Sequence, residues 1–298
     1  MSATSLTWDG RSIPGPGGLP AVAVSLTGPS LADVRAQARS AIDAGADVLE
    51  LRVDLLEEAG ALAAPAPLDA ATVAAQVLEC LRGLREAIDA TDGADAGSPV
   101  LLTCRTAAEG GRAQLDDAAY GSLLRSVLDG LTDWTPERRP AAIDVEVQRG
   151  CLPQVCTQAQ GLGVDVVASF HDFEATPADE ALEEVLARMA REGADLAKIA
   201  VWPTSADDVA RLLGVCARAT AGVGERSGLG VPVAAMSMGA LGAVSRVAPA
   251  FGSALTFAVV PDEQGQTRAS APGQLPIQDV RRCLELLRSD RCPCPARS

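Results

Sequence analysis

The sequence predicts an α/β fold and, within that class, a closed (β/α)8 TIM barrel. Two observations predict it. Short β-branched runs alternate with longer alanine- and leucine-rich periodic runs along the chain, the pattern of parallel strands joined by right-handed helical crossovers. The β-branched runs number eight, which suits closure into a barrel rather than an open sheet.

The elements follow in order. Before residue 20, "LTWDGRSIPGPGG" alternates and carries turn residues, which predicts an N-terminal β-hairpin closing the barrel bottom. The strands are "AVAVSL" (21–26), "VLELRVD" (48–54), "VLLTCR" (100–105), "AAIDVEV" (141–147), "VDVVASF" (164–170), "LAKIAVW" (196–202), "VPVAAMSM" (231–238) and "ALTFAVV" (254–260). Helical periodicity fills "SLADVRAQARSAIDAG" (30–45) and "TPADEALEEVLARMAREG" (176–193). In the second, Thr176 suits the N-cap, Pro177 the first turn and Gly193 the C-terminal stop. "DATDGADAGSP" (89–99) reads as a surface loop, and 289–298 as a flexible tail. No linker divides the chain, so residues 1–298 are expected to form a single barrel domain.

Composition narrows the function. With 298 residues, 48% of them hydrophobic, the chain can bury a large core. A net charge of −14 with no basic patch argues against nucleic acid, and no apolar run is long enough to span a bilayer. The start "MSATSLTWDGRSIPGPGG" lacks the charged and apolar regions of a signal peptide, so a cytoplasmic location is expected. The eight cysteines are then expected to be free thiols. Cys292 and Cys294 form a C-x-C, but the one histidine lies far away in sequence, so no metal site and no cofactor is expected.

A barrel carries its chemistry at the C-terminal ends of its strands. Glu50, Arg52 and Asp54 fall there at a spacing of two, on one face of the second strand. Arg105 ends the third strand, Asp144 and Glu146 share a face of the fourth, His171 follows the fifth in "SFHDF", and Lys198 sits inside the sixth. Taken singly, each has a plain structural reading. Glu50 and Arg52 are an internal ion pair, His171 is a hydrogen-bonded loop residue, and Lys198 snorkels its ammonium to water. Five neighbouring strands delivering ionisable groups to one end favour a site, because desolvation largely cancels the gain from burying such charges for stability.

Of the 25 basic side chains, only Lys198 is a lysine. GC-rich coding accounts for the scarcity of lysine but not for the position of this one. Arginine stays protonated, whereas a lysine amine becomes a nucleophile once its pKa falls. Burial and cationic neighbours such as Arg52 and Arg105 would favour the neutral amine. A neutral amine condenses with a ketone or aldehyde to a Schiff base, whose protonated form acidifies the adjacent carbon. His171 titrates in the range of a base for that proton, with Glu146 expected to orient it. The set specifies proton abstraction next to a carbonyl through an iminium. Arg246, after the glycines of "MSMGALGAVSRV" and at the start of an expected short helix, would clamp a carboxylate. Ser270 and Gln274 in "RASAPGQLP" would come down with a mobile lid. The alternative for both segments is an ordinary connecting loop.

These pieces resemble the type I 3-dehydroquinate dehydratases. The resemblance runs from about residue 21 to 288 through "VSLTG", "ELRVDLLE", "TCRTAAEGGR", "IDVEV", "SFHDFEATP", "AKIAV", "MSMGALGAVSRV", "FGSALTFA" and "ASAPGQLP", in the family's order. It implies a metal-free syn dehydration of 3-dehydroquinate to 3-dehydroshikimate. It also implies an imine at Lys198, proton transfer by His171, and Glu146 positioning His171. Glu50, Arg52, Arg105 and Ser25 would grip ring hydroxyls, Arg246 the carboxylate, and Ser270 and Gln274 the closing loop. A homodimer is implied as well. The N-terminal extension, residues 57–98, the loop "VVPDEQGQTRASAPGQ" and the tail are longer than the family pattern, which bears on lid closure rather than on chemistry. Two competing readings stay open: another Schiff-base barrel enzyme such as a class I aldolase, and a non-catalytic barrel that binds a metabolite. The carboxylate clamp argues against the first. The intact set of Lys198, His171 and Glu146 argues against the second.

Overall fold

The computed structural model describes residues 5–57, 59–63, 69–91, 97–221, 228–261 and 269–288. The chain opens with an antiparallel hairpin, β1 (Leu6–Trp8) and β2 (Arg11–Ile13), in which Leu6 faces Ile13 and Trp8 faces Arg11. Its two-residue turn is Asp9-Gly10, both at positive φ (44° and 80°), the backbone that matches strand twist in short hairpins. Then follow β3 (Ala21–Leu26), α1 (Leu31–Asp43), β4 (Val48–Arg52), α2 (Ala70–Thr91), β5 (Val100–Thr103) and α3 (Asp117–Gly130). β6 (Ala142–Glu146), α4 (Leu152–Gln160), β7 (Asp165–Asp172), α5 (Asp179–Arg191), β8 (Leu196–Val201) and α6 (Ala206–Thr220) continue the alternation. β9 (Val233–Ser237), β10 (Leu255–Val259), the two-residue β11 (Leu275–Pro276) and α7 (Ile277–Leu286) complete it.

β3 to β9 pair in parallel in chain order, and β10 returns to pair with β3, so eight strands wind into the predicted barrel. β11 adds to the outer edge of β10 through Ala258 and Leu275. At the seam between β9 and β10 the amide of Ala254 donates to the carbonyl of Val233 at 2.7 Å. Helices start where the sequence supplies caps. Ser30 and Ser205 each form a reciprocal capping box with an aspartate three residues on, Asp33 and Asp208.

Strand periodicity sorts the side chains. Along β8, Ala197, Ile199 and Val201 join the core under the helices, while Leu196 and Ala200 face the barrel interior with Lys198 between them. The same parity turns Glu50, Asp144 and Glu146 inward. The lower barrel is apolar: Val48, Leu101, Ala142, Val167, Leu196 and Leu255 close over Trp8 and Ile13 of the hairpin. Trp8 and Ile13 are fully buried, and the Trp8 indole donates to Asp165 at 2.8 Å. The hairpin therefore closes the bottom, as predicted.

Some details differ from expectation. Thr176 does not cap α5. The helix begins at Asp179 with Ala178 as N-cap, and the Thr176 hydroxyl donates instead to the Trp202 carbonyl. Between β9 and β10 the connection is two 3-10 turns, Ala243–Val247 and Pro249–Phe251, rather than an α-helix. A side chain at Gly242 would lie 2.4 Å from the backbone of Ser237, so the connection folds directly onto β9. α2 reaches Thr91, into the expected loop. The tail with Cys292 and Cys294 and residues 262–268 of the long loop lie outside the described residues. Cys80, Cys104, Cys151, Cys156 and Cys216 are buried and form no disulfide. No described helix is long and apolar enough to cross a membrane.

Candidate active site

At the C-terminal end of the barrel a cavity, about 490 Å³ with the part open to solvent included, is lined by Glu50, Arg52, Arg105, Glu109, His171, Lys198, Arg246, Ser270 and Gln274, with Met236, Met238, Phe173 and Phe257 as apolar walls. Lys198 is buried in β8. Its Nζ lies 3.4 Å from Asp144 Oδ2, 3.7 Å from Glu50 Oε1 and 4.5 Å from the centre of the Phe257 ring. The groups against the amine are therefore two carboxylates and an aromatic face, not the arginines expected from sequence. Those arginines are paired elsewhere. Arg52 forms a two-pronged bridge to Asp54, Nε to Oδ1 and Nη2 to Oδ2, both at 2.8 Å. Asp54 itself lies in a 3-10 turn just past β4.

Arg105 lies two residues beyond β5. One terminal nitrogen donates to Asp144 Oδ1 at 2.8 Å, and the other to Ser169 Oγ at 2.9 Å and to Glu146 Oε1 at 3.2 Å. Its terminal nitrogens thus hold the carboxylates of the wall together. Burial opposes the Asp144 carboxylate, but Arg105 and Lys198 outweigh it and hold this carboxyl below the usual range.

His171 sits near the end of β7, which extends to Asp172. Its Nδ1 lies 2.8 Å from Glu109 Oε2. This corrects the sequence reading, which assigned that partner to Glu146. Glu146 faces the other way: it accepts from the Thr106 amide at 2.8 Å, the Thr106 hydroxyl at 2.6 Å and Arg149 at 3.0 Å, besides Arg105. Glu109 comes from the 3-10 turn Ala107–Glu109 that follows β5. Two glycines let this turn fold back. Gly110 is at φ 80°, with Phe173 packed over it, and a Cβ on Gly111 would lie 2.1 Å from the Arg105 carbonyl. The "EGG" after the third strand was the available signal: a carboxylate followed by two glycines at a barrel rim, where a tight turn can aim it inward.

The pair is poised asymmetrically. Burial, helped by Arg105, Lys198 and Arg52, pushes His171 well below its ordinary value, so the ring is neutral. Burial pushes the Glu109 carboxyl up to about 8, with Arg105 pulling against it. A carboxylate there accepts Nδ1–H and leaves Nε2 as a free base, whereas a carboxylic acid donates to Nδ1 and forces the ring proton onto Nε2.

The remaining predicted residues converge on the same cavity. Ser25 donates to Glu50, and the Ser270 hydroxyl donates to Ser25 at 2.8 Å. The Glu50 carboxylate also accepts from Thr103 at 3.0 Å. Gln274 donates to Ser270 at 3.0 Å, so the segment after 269 lies docked on β3 and β4. Arg246, from the 3-10 turn after β9, is buried and donates to the carbonyls of Phe257 (3.4 Å) and Pro272 (3.2 Å) and to the Met236 sulfur (3.7 Å). No carboxylate of a described residue pairs with it, its Nε has no hydrogen-bond partner among them, and burial pushes its pKa down to about 10. A buried guanidinium whose donors meet only neutral groups among the described residues is a strong donor site for an anionic ligand.

Comparison with known proteins agrees with this geometry. The family model of type I 3-dehydroquinase matches residues 22–291. A 3-dehydroquinate dehydratase of Klebsiella pneumoniae subsp. pneumoniae is 37% identical over 270 residues, 89% of this chain and 92% of that protein. One from Salmonella paratyphi B is 36% identical over 274 residues, 91% and 94% of the two chains. Among solved structures, the 3-dehydroquinate dehydratase of Geobacillus kaustophilus superposes with a TM-score of 0.78 at 29% identity, covering 97% of this chain and 98% of its own. The type I 3-dehydroquinate dehydratase of Clostridium difficile, solved with covalently modified comenic acid, also gives 0.78 at 29% identity, with 97% and 100% covered.

Proposed function

From the premise that this chain belongs to the type I 3-dehydroquinase family, we propose that it is a hydro-lyase converting 3-dehydroquinate to 3-dehydroshikimate through a Schiff base on Lys198. The observation that carries the reading is the cavity itself. One buried amine, one neutral imidazole and one buried guanidinium without a carboxylate partner among the described residues face a single pocket, a convergence of polar groups that suits a small anionic ligand.

Each residue takes a role that its surroundings support. Arg246 receives the substrate carboxylate, replacing weak carbonyl contacts by a charge-assisted pair. Glu50, Ser25 and Arg52 meet ring hydroxyls, and Arg105 keeps the wall carboxylates in register. Lys198 condenses with the C3 ketone, and the iminium draws electrons from C2. His171 removes the C2 proton and returns a proton to the departing C1 hydroxyl as water. Glu109, rather than Glu146, holds the imidazole. Ser270 and Gln274 close the cavity and exclude water. A single-domain cytoplasmic homodimer completes the reading, on the strength of the family resemblance.

Two measurements test it. The conjugated enone product is followed by ultraviolet absorbance on adding 3-dehydroquinate. Borohydride reduction in the presence of substrate, followed by mass spectrometry, is expected to place one adduct on the peptide bearing Lys198. Lys198→Arg keeps the charge but not the nucleophile, and turnover is expected to fall by about 10⁴-fold or more. An adduct on another peptide, or a Lys198→Arg variant with near-normal turnover, rules the mechanism out.

A further inference from the structure

We propose that Asp144 is the permanent counter-ion of the reacting nitrogen, pairing with the Lys198 ammonium before condensation and with the protonated imine after it; this rests on the Schiff-base reading above. Asp144 is fully buried in β6. Its Oδ1 is held by Arg105 at 2.8 Å and by the Ser169 hydroxyl at 2.7 Å, leaving Oδ2 to face Nζ at 3.4 Å. The carboxylate is thus anchored through one oxygen and presents the other to the amine.

Glu50, the second carboxylate near Nζ, differs in two respects. Both of its oxygens accept from hydroxyls, those of Ser25 and Thr103, and it lines the cavity, so an entering ring changes its partners. Asp144 is not part of the cavity lining and lies behind the amine. It is the partner that substrate cannot displace.

The charge balance shows why a fixed partner suits this step. Ammonium plus ketone gives iminium plus water: two N–H protons leave with the carbonyl oxygen, and the nitrogen carries one positive charge on each side. A static anion therefore stabilises reactant and intermediate alike. In between, Nζ must lend a proton so that its lone pair can attack. Asp144, held in its ionised form by Arg105 and Lys198, is a poor store for that proton, and the neutral His171 ring that lines the same cavity is the base available to take it. Once the imine exists, only its protonated form is an effective electron sink for C2. An opposite charge a few ångströms away keeps it protonated to higher pH.

The ionisable groups around this pair come from each packed strand: Glu50 and Arg52 from β4, Arg105 and Glu109 from β5 and its turn, Glu146 from β6 and His171 from β7. β9 and β10 present Met236 and Phe257, which do not ionise, the connection between them brings Arg246 to the same cavity, and α3 brings the buried Tyr120 within reach of the Asp144 charge. Replacing Asp144 leaves Glu50 as the anion near Nζ and strips one terminal nitrogen of Arg105 of its carboxylate, so the net field on the imine turns more positive.

The test compares Asp144→Asn with the unmodified enzyme. Each is incubated with 3-dehydroquinate and cyanoborohydride, which reduces protonated imines, across a pH series, and the adduct is read by intact mass. Both are expected to be trapped at mildly acidic pH, with the alkaline limit of trapping lower in Asp144→Asn by about 1–3 pH units. The alkaline limit of kcat is expected to fall in parallel while KM changes little. Equal alkaline limits overturn the counter-ion. Absence of an adduct in the unmodified enzyme at every pH overturns the Schiff-base reading instead. A second measurement needs no variant. Because Lys198 is the one lysine, ε-15N-lysine labels a single side chain, and its imine signal reports its own proton. A one-proton doublet persisting above about pH 8 supports the counter-ion, and its collapse below about pH 8 overturns it.

Discussion

Glu109 shows how one side chain sets the direction of a proton. Its carboxyl is pushed up to about 8 by burial, and it contacts the imidazole at 2.8 Å. Below that pH the acid form donates to Nδ1, and Nε2 carries the ring proton. Above it the carboxylate accepts from Nδ1–H, and Nε2 is free to act as a base. kcat/KM is therefore expected to rise with pH toward about 8, with an apparent pKa that belongs to the coupled pair rather than to either residue. In Glu109→Gln the partner no longer titrates, so the acid limb should move to lower pH, with a rate loss of about tenfold at pH 8 because the base itself remains. A pH–rate profile of the variant checks this, and an unchanged acid limb would exclude Glu109 as the titrating partner. The same residue marks a boundary of what sequence discloses. Lys198, His171 and Arg246 were legible because strand parity and residue chemistry identify them one at a time. The choice between Glu109 and Glu146 was not. Both carboxylates contact Arg105, at 3.4 Å and 3.2 Å, and only the path of the turn after β5 decides which one reaches the imidazole.

At the scale of elements, the segment after residue 269 behaves as a built clasp. Gly273 is at φ 81°, and a Cβ there would sit 2.2 Å from the Gly239 carbonyl oxygen. The Gly239 amide donates to the Pro272 carbonyl at 3.1 Å, and Arg246 donates to the same carbonyl. The turn thus locks the segment to the connection that carries Arg246, while Ser270, held by Gln274, reaches across to Ser25 of β3. Gly273→Ala meets both a positive φ and a backbone clash, so the segment can no longer seat. KM for 3-dehydroquinate is expected to rise about tenfold while the melting temperature stays within about 2 °C, because the turn is half-exposed and adds little to the core. Unchanged KM in steady-state kinetics would refute the clasp. The lid was readable from its small residues. The connection between β9 and β10 was expected to hold a short helix and holds two 3-10 turns, although Gly242 and Pro249 already punctuate that stretch in the sequence. What brings the connection onto β9 is the close approach of Gly242 to Ser237, a contact between segments and not a local preference.

Across the whole molecule the barrel divides its labour by end. Ionisable groups gather at the C-terminal rim, and apolar ones fill the base, where Trp8 and Ile13 of the hairpin complete the packing. Alternation within the strands made this division legible. The hairpin was legible too, because Asp9-Gly10 between alternating runs is a turn with a mechanism. What it packs against was not legible: the indole bond to Asp165 joins residues 157 positions apart. The division predicts separable effects. Trp8→Ala removes a fully buried indole from the base, which should cost about 3–5 kcal/mol and lower the melting temperature by about 5–10 °C. It also leaves Asp165 without its indole donor, and burial already pushes that carboxyl upward, so removing the bond that opposes the shift raises it further. A carboxyl whose folded pKa is raised stabilises the fold when protonated, so any stability Asp165 contributes in Trp8→Ala is present at acidic pH and lost as pH rises through its folded value. The destabilisation should accordingly be larger at neutral than at mildly acidic pH. Below its melting transition, however, the folded variant should keep the kcat and KM of the unmodified enzyme, because Trp8 is not among the residues that line the active-site cavity. Thermal melts by circular dichroism at two pH values, paired with enone-forming rates at low temperature, measure both halves. A loss of kcat in fully folded Trp8→Ala would mean that the base and the rim are mechanically coupled, and the separation of stability from chemistry along the barrel axis would have to be abandoned.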